Sequence, residues 1–154
     1  MHVFKDNAGR TWPVSIHVSA VKRVRGMLGV DLYSLIDDRF QGLGKLLADP
    51  VSLVDVLYVL CKDEADKQGI TDEDFGRAMA GDAIEHATHA FLEEFADFFP
   101  DPRARAGIKK MTESARKMRD TIMTHLTTQI ETFDPETAAK KLIDSSGNSQ
   151  ALSA

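Results

Sequence analysis

His86 and His89 stand three residues apart in the stretch DAIEHATHAFLEEFADFFP, with Glu85 and Glu93 beside them. On an α-helix that spacing puts both imidazoles on one face, where a pair of neutral imidazoles can ligate zinc. Zinc needs further ligands, and no motif in the chain supplies them. The spacing is neither the His-Glu-x-x-His of metalloproteases nor the Glu-x-x-His of di-iron bundles. The two histidines therefore read as solvent-facing or helix-packing residues. Asp63, Asp66, Asp72 and Asp74 surround Gly69 and resemble a calcium loop. Such a loop needs alternating oxygen ligands before its glycine and a glutamate six residues after it. Lys67, Gln68 and Phe75 occupy those positions, so calcium is rejected. Cys61 has no evident activating base and reads as a buried structural thiol. No catalytic residue, metal or cofactor is expected.

The remaining chemistry is that of surfaces. Arg103, Arg105, Lys109, Lys110, Arg116, Lys117 and Arg119 could meet phosphates, but Glu113 and Asp120 interrupt them and no aromatic residue is interleaved for base stacking. A solvated helix face is the simpler reading. A helix-turn-helix around Gly69 and Gly81 would place Asp72, Glu73 and Asp74 where phosphates approach. The net charge of -5 also opposes general nucleic-acid binding. Met111, Met118 and Met123 could adapt to an irregular apolar partner. Core packing at helical spacing is the competing reading.

The elements that must position these residues are mostly helical. In the histidine-bearing stretch, Ile84, Ala87, Phe91, Phe95 and Phe98 form one apolar stripe widened by Leu92 and Phe99, and Pro100 ends it. Glu85, Glu93, Glu94 and Asp97 fall mostly on the opposite side. Upstream, Val3 and Phe4 lead through Asp6-Asn7-Ala8-Gly9 into Trp12, Val14, Ile16 and Val18, a period-two pattern predicting a hairpin over 3–18. Its Trp12 face should lie on helices. Ser19 is expected to cap a helix over 20–28, and Asp31 a short one through Ile36. Phe40, Leu43, Leu46 and Leu47 suggest a further turn or two. Asp49-Pro50 starts an apolar helix running up to Gly69, and Thr71 with Asp74 resembles a capping box. After Asp101-Pro102, residues 103–131 carry Ile108, Met111, Ala115, Met118, Ile122, Leu126 and Ile130 at helical period. A last helix spans 135–143.

With 154 residues, 43% hydrophobic and 28% charged, the chain has ordinary globular proportions. One cysteine excludes an internal disulfide and suits a reducing compartment. No apolar signal-peptide core opens the chain, and no apolar run nears the roughly 20 residues of a membrane helix. The expectation is a soluble, cytoplasmic protein without a membrane or nucleic-acid partner. Its fold class is mainly α: a helical bundle-like domain with an N-terminal β-hairpin, α+β in a strict count. The domain should be a single globular one over 1–143, with helices over 19–131 and 135–143, followed by a disordered tail over 144–154.

Several features in order resemble the tail assembly chaperones of long-tailed bacteriophages and prophages. They are Phe4, the Asp6-x-x-Gly9-Arg10-x-Trp12 run, Asp49-Pro50 before an apolar helix, Phe75 before Gly81-Asp82, and Phe98-Phe99-Pro100. The match covers residues 3–100 and is weaker from 103 onward. The resemblance implies a mostly helical protein of the bacterial host cytoplasm, without catalytic activity, that holds the apolar helical tape-measure protein soluble while the tail tube assembles. Some members of that family are also made in a longer, frameshifted form. On this reading Phe91, Phe95, Met111, Met118 and Ile122 line the partner groove, and several copies could act together as a homo-oligomer. The alternatives are a structural tail or head–tail completion protein forming a ring, a metal enzyme using His86 and His89, and DNA binding through the basic segment.

Overall fold

In the computed structural model, which describes the backbone of residues 1–151 and side chains through residue 146, the Asp6 turn organises the N-terminus. Strands β1 (His2–Lys5) and β2 (Thr11–Val14) pair antiparallel, with Phe4 opposite Trp12. The Asp6 carboxylate is buried inside the connecting turn. One oxygen accepts from the N–H groups of Ala8 and Arg10, at 2.9 and 3.0 Å; the other accepts from Trp12 Nε1 and Arg10 Nε, both at 2.8 Å. Gly9 has φ +80°, a conformation that glycine adopts without a Cβ penalty. The Asp-x-x-Gly-Arg-x-Trp run is thus a structural clasp. Burial pushes the Asp6 pKa up, but the hydrogen bonds from Trp12 and Arg10 outweigh it and hold the group below its ordinary value.

The hairpin's apolar face does lie on helices. Trp12 meets the edge of Phe75 at 4.9 Å between ring centroids. Asn7 bonds the Ala78 and Ala80 carbonyls through its N–H and side-chain amide, which ties the turn down. Strand β2 is shorter than the period-two pattern suggested: Val18 is exposed and already helical. Helix α1 (Val18–Leu28) is capped by His17, whose Nδ1 accepts from Ala20 N–H, and not by Ser19. A 3-10 helix (Leu32–Ile36) follows the Asp31 cap. In α2 (Asp37–Ala48) the residues Asp38, Arg39 and Phe40 have positive φ, a left-handed turn before the regular helix.

The Asp49 carboxylate caps α3 (Pro50–Leu60) by accepting from Val51 and Ser52 N–H, as the Asp-Pro start predicted. This helix buries Leu53, Val56, Leu57, Val59 and Leu60. The expected single helix up to Gly69 is instead broken at Cys61, where α4 (Lys62–Gln68) begins. Thr71 caps α5 (Asp72–Arg77), which delivers Phe75 to the core.

Helix α6 (Asp82–Phe98) packs on the hairpin and on α3. Ala87, Phe91 and Phe95 are buried as the stripe predicted, while Ile84 and Phe98 are only partly covered. Glu94 departs from the pattern. It is buried on the core side, accepting from His2 Nδ1 at 3.0 Å and from Ile16 N–H at 3.4 Å. Burial raises its pKa, and those hydrogen bonds bring it below the ordinary value.

Helix α7 (Pro102–Glu131) buries only Ala104 and Ile108. Gly107 lies beneath Phe40, and a Cβ there would meet the tip of the phenyl ring, which would have to shift. Helix α8 (Pro135–Ala151) starts at Asp134, which accepts from Glu136 N–H and Thr137 Oγ1. It continues past the expected end at Ile143, so residues 144–151 are helical where a disordered tail was expected. Residues 152–154 of that expected tail lie outside the described residues. The chain separates into two compact units, Met1–Glu113 and Ser114–Ala154, where one domain over 1–143 was expected. The physical reason is the distribution of apolar cover. The core cluster lies wholly in the first unit, and in the second every described side chain except the half-buried Ala138 is exposed. The mainly α class with an N-terminal hairpin stands.

Candidate functional site

The residues with chemical potential are spread over the fold. His86 and His89 are exposed on α6, and His89 Nε2 lies 3.9 Å from the Glu93 carboxylate. Among the described residues no group of three or more His, Cys, Asp and Glu side chains is arranged to hold a metal ion. The carboxylates around Gly69 diverge. Asp63 pairs with Arg23 at 3.1 Å, Asp66 with Lys62, and Asp74 with the Thr71 hydroxyl, while Gly69 closes α4 in the left-handed conformation. The Cys61 thiol is buried and donates to the Pro13 carbonyl at 3.4 Å. Burial, reinforced by the Glu64 charge, pushes its pKa up to about 12, so it is not a thiolate nucleophile at neutral pH.

A cavity of about 300 Å³ is lined by Pro50, Val51, Val54, Met79 and Ile84, with Asp55 and Asp72 at its polar side. Burial and the neighbouring Asp72 and Asp49 charges raise the Asp55 pKa. No second polar group converges there with them to form an acid–base pair of opposed function. The basic residues Arg103, Arg105, Lys109, Lys110, Arg116, Lys117 and Arg119 are all exposed along α7.

The five residues assigned to a partner groove separate. Phe91 and Phe95 stack at 5.4 Å between ring centroids, and Phe99 meets Phe95 edge-on at 4.9 Å. Both are fully buried, which corrects their assignment to an accessible groove: the hairpin and α3 already cover that face. Met111 is partly buried against the core, facing Gly44. Met118 and Ile122 belong to the second unit and remain exposed, at 66% and 51%.

They are not alone there. Leu126, Ile130 and Phe133 continue the stripe, exposed at 45%, 74% and 63%. From Met118 to Ile130 the spacing is four, four and four, so these residues stay on one helix face, and Phe133 follows three residues on. Periodicity marked the stripe through Ile130. Phe133 was missed because it lies just past the helix, where its N–H bonds the Ile130 carbonyl and closes the last turn. Glu94 was missed because its partners are distant in sequence. Among the described residues no helix is long and apolar enough to cross a membrane.

No family model, curated protein or solved structure matches the chain.

Proposed function

We propose that the chain is a tail assembly chaperone of a long-tailed phage or prophage, a non-catalytic protein that binds the apolar helical tape-measure protein during tail assembly. The observation that supports this reading is the row Met118, Ile122, Leu126 and Ile130, exposed on one face of a continuous helix, with the exposed Phe133 just past its end. A contiguous exposed apolar surface is the usual mark of an interaction site. An amphipathic client helix would meet it as one helix meets another, through side chains repeating at three and four residues. Methionines at positions 118 and 123 suit a client with irregular apolar contacts. Within the first unit, the start of α7 is anchored by the buried Ile108 and the partly buried Met111.

The test is co-expression with the longest helical protein encoded beside this chain, followed by capture on a tag. The expected outcome is stoichiometric co-purification of a client that is insoluble when expressed alone. Met118→Asp should abolish capture while leaving the circular dichroism of the folded chain intact. A client equally soluble with and without the chain would overturn the reading.

A further inference from the structure

We infer that the cavity between α3, α5 and α6 is a binding site for a small amphiphilic amine, a ligand with an ammonium head and a short apolar tail. On α3, Val54 and Asp55 follow Val51 by three and four residues, so the three share one helix face. That face lines the cavity of about 300 Å³ together with Gly76 of α5, Ile84 of α6 and Met79 from the segment between them. The wall is apolar, and the volume stands at the lower end of small-molecule sites. Gly76 keeps the space open: a Cβ there would meet nothing within 4 Å.

The polar side of the cavity, formed by Asp55 and Asp72, selects the head group. Neighbouring acids have partners of their own. Asp49 accepts from the Ser52 hydroxyl at 2.6 Å, Glu73 from Arg77 at 2.6 Å, and Asp74 from the Thr71 hydroxyl at 2.9 Å. Among the described residues, the Asp55 and Asp72 side chains have neither a hydrogen bond nor an ion pair. Asp72 sits in the first turn of α5, where the helix dipole favours an acid. Asp55 has no such compensation, because it is half-buried in the middle of α3. Burial, together with the Asp72 and Asp49 charges, holds its pKa above the ordinary value. A cation at the mouth relieves this field of like charge, and an apolar tail covers Val54, Met79 and Ile84. An anion would be repelled by both carboxylates, and a neutral ligand would leave them uncompensated. The site lies wholly within the first unit, so it does not rest on the chaperone reading, which uses the exposed row of the second.

Titration of the isotope-labelled full chain with hexylammonium chloride at neutral pH, followed by amide resonances, tests it. Hexanoate and hexanol are the controls of equal length. The amine should give saturable shifts confined to residues 51–55, 72–79 and 84. Hexanoate should give none, and hexanol should bind at least about tenfold more weakly. Asp55→Asn should weaken the amine by at least about tenfold and leave hexanol unchanged. Gly76→Leu should fill the cavity and abolish binding of both, with the thermal transition retained, since leucine suits a helix better than glycine. Shifts scattered over the surface, or an Asp55→Asn chain that binds the amine like the parent, would overturn the site. Hexanol binding as tightly as the amine would overturn the selection by charge. Tighter binding of N-acetyl-lysine methylamide than of hexylammonium would give the site to a lysine of a protein partner and overturn the small ligand.

Discussion

Phe91 and Phe95 on α6, and Met118 and Ile122 on α7, are the same motif in two regions: an apolar pair four residues apart on an amphipathic helix. The first pair is stacked and fully buried, while the second is more than half exposed. Periodicity is equally clear in both, so periodicity does not decide the outcome. The difference lies in what else the chain brings to the face. Helix α6 is covered by the hairpin and α3, whereas the second unit buries none of its described side chains. An apolar stripe therefore marks a face suited to burial and does not say whether the same chain supplies the cover.

Substitutions should separate the two regions by size of effect. Phe95→Ala removes a ring packed against Phe91 and Phe99 and should cost about 3–5 kcal/mol in urea unfolding. A loss below about 1 kcal/mol would break the contrast by showing that this face is loosely packed. Asp6→Ala leaves the Trp12 indole and two backbone N–H groups without their acceptor, and should cost about 2–3 kcal/mol.

The same carboxylates set an acid limit on the first unit. Asp6 and Glu94 are both held below their ordinary values of 3.8 and 4.5 in the folded chain. Their contribution is complete above those values and is lost as pH falls through the lowered folded ones. The melting temperature should therefore fall in that acid window. Asp6→Asn should start lower at neutral pH and fall less steeply; equal slopes would contradict the assignment.

Smaller effects sharpen the comparison. Thr71→Ala removes the cap of α5 and should cost about 1 kcal/mol by the same unfolding assay. Met118→Ala should change stability by less than about 0.5 kcal/mol, since its side chain is largely exposed. A larger loss from Met118→Ala would mean that the second unit folds with cover of its own.

Much of the fold was legible wherever the signal is local. Asp49-Pro50 starts α3, Thr71 caps α5, and the Asp6–Gly9 turn joins two strands, because each depends on groups within a few residues. Other readings failed where local rules admit several answers. Ser19 looked like the better cap, yet His17 caps α1, since the backbone leaves strand geometry earlier than the period-two pattern implies. An acid on an amphipathic helix is assigned outward by default. Glu94 turns inward because the hairpin, 92 residues away at His2, brings donors to it. The candidate surface was half legible: the row from Met118 to Ile130 was visible as a stripe, but its exposure was not.

By itself the sequence determined the helical character of the chain, the capped starts of α3 and α5, the clasp-forming run from Asp6 to Trp12, and the faces on which apolar side chains gather. These follow from backbone propensity and hydrogen bonds spanning a few residues. Only the tertiary structure decided which faces are covered, that Phe91 and Phe95 are core, that Glu94 is buried, and that Met118, Ile122 and Leu126 stay open. Burial requires surfaces from distant parts of the chain to meet, and no local pattern records whether that partner surface exists.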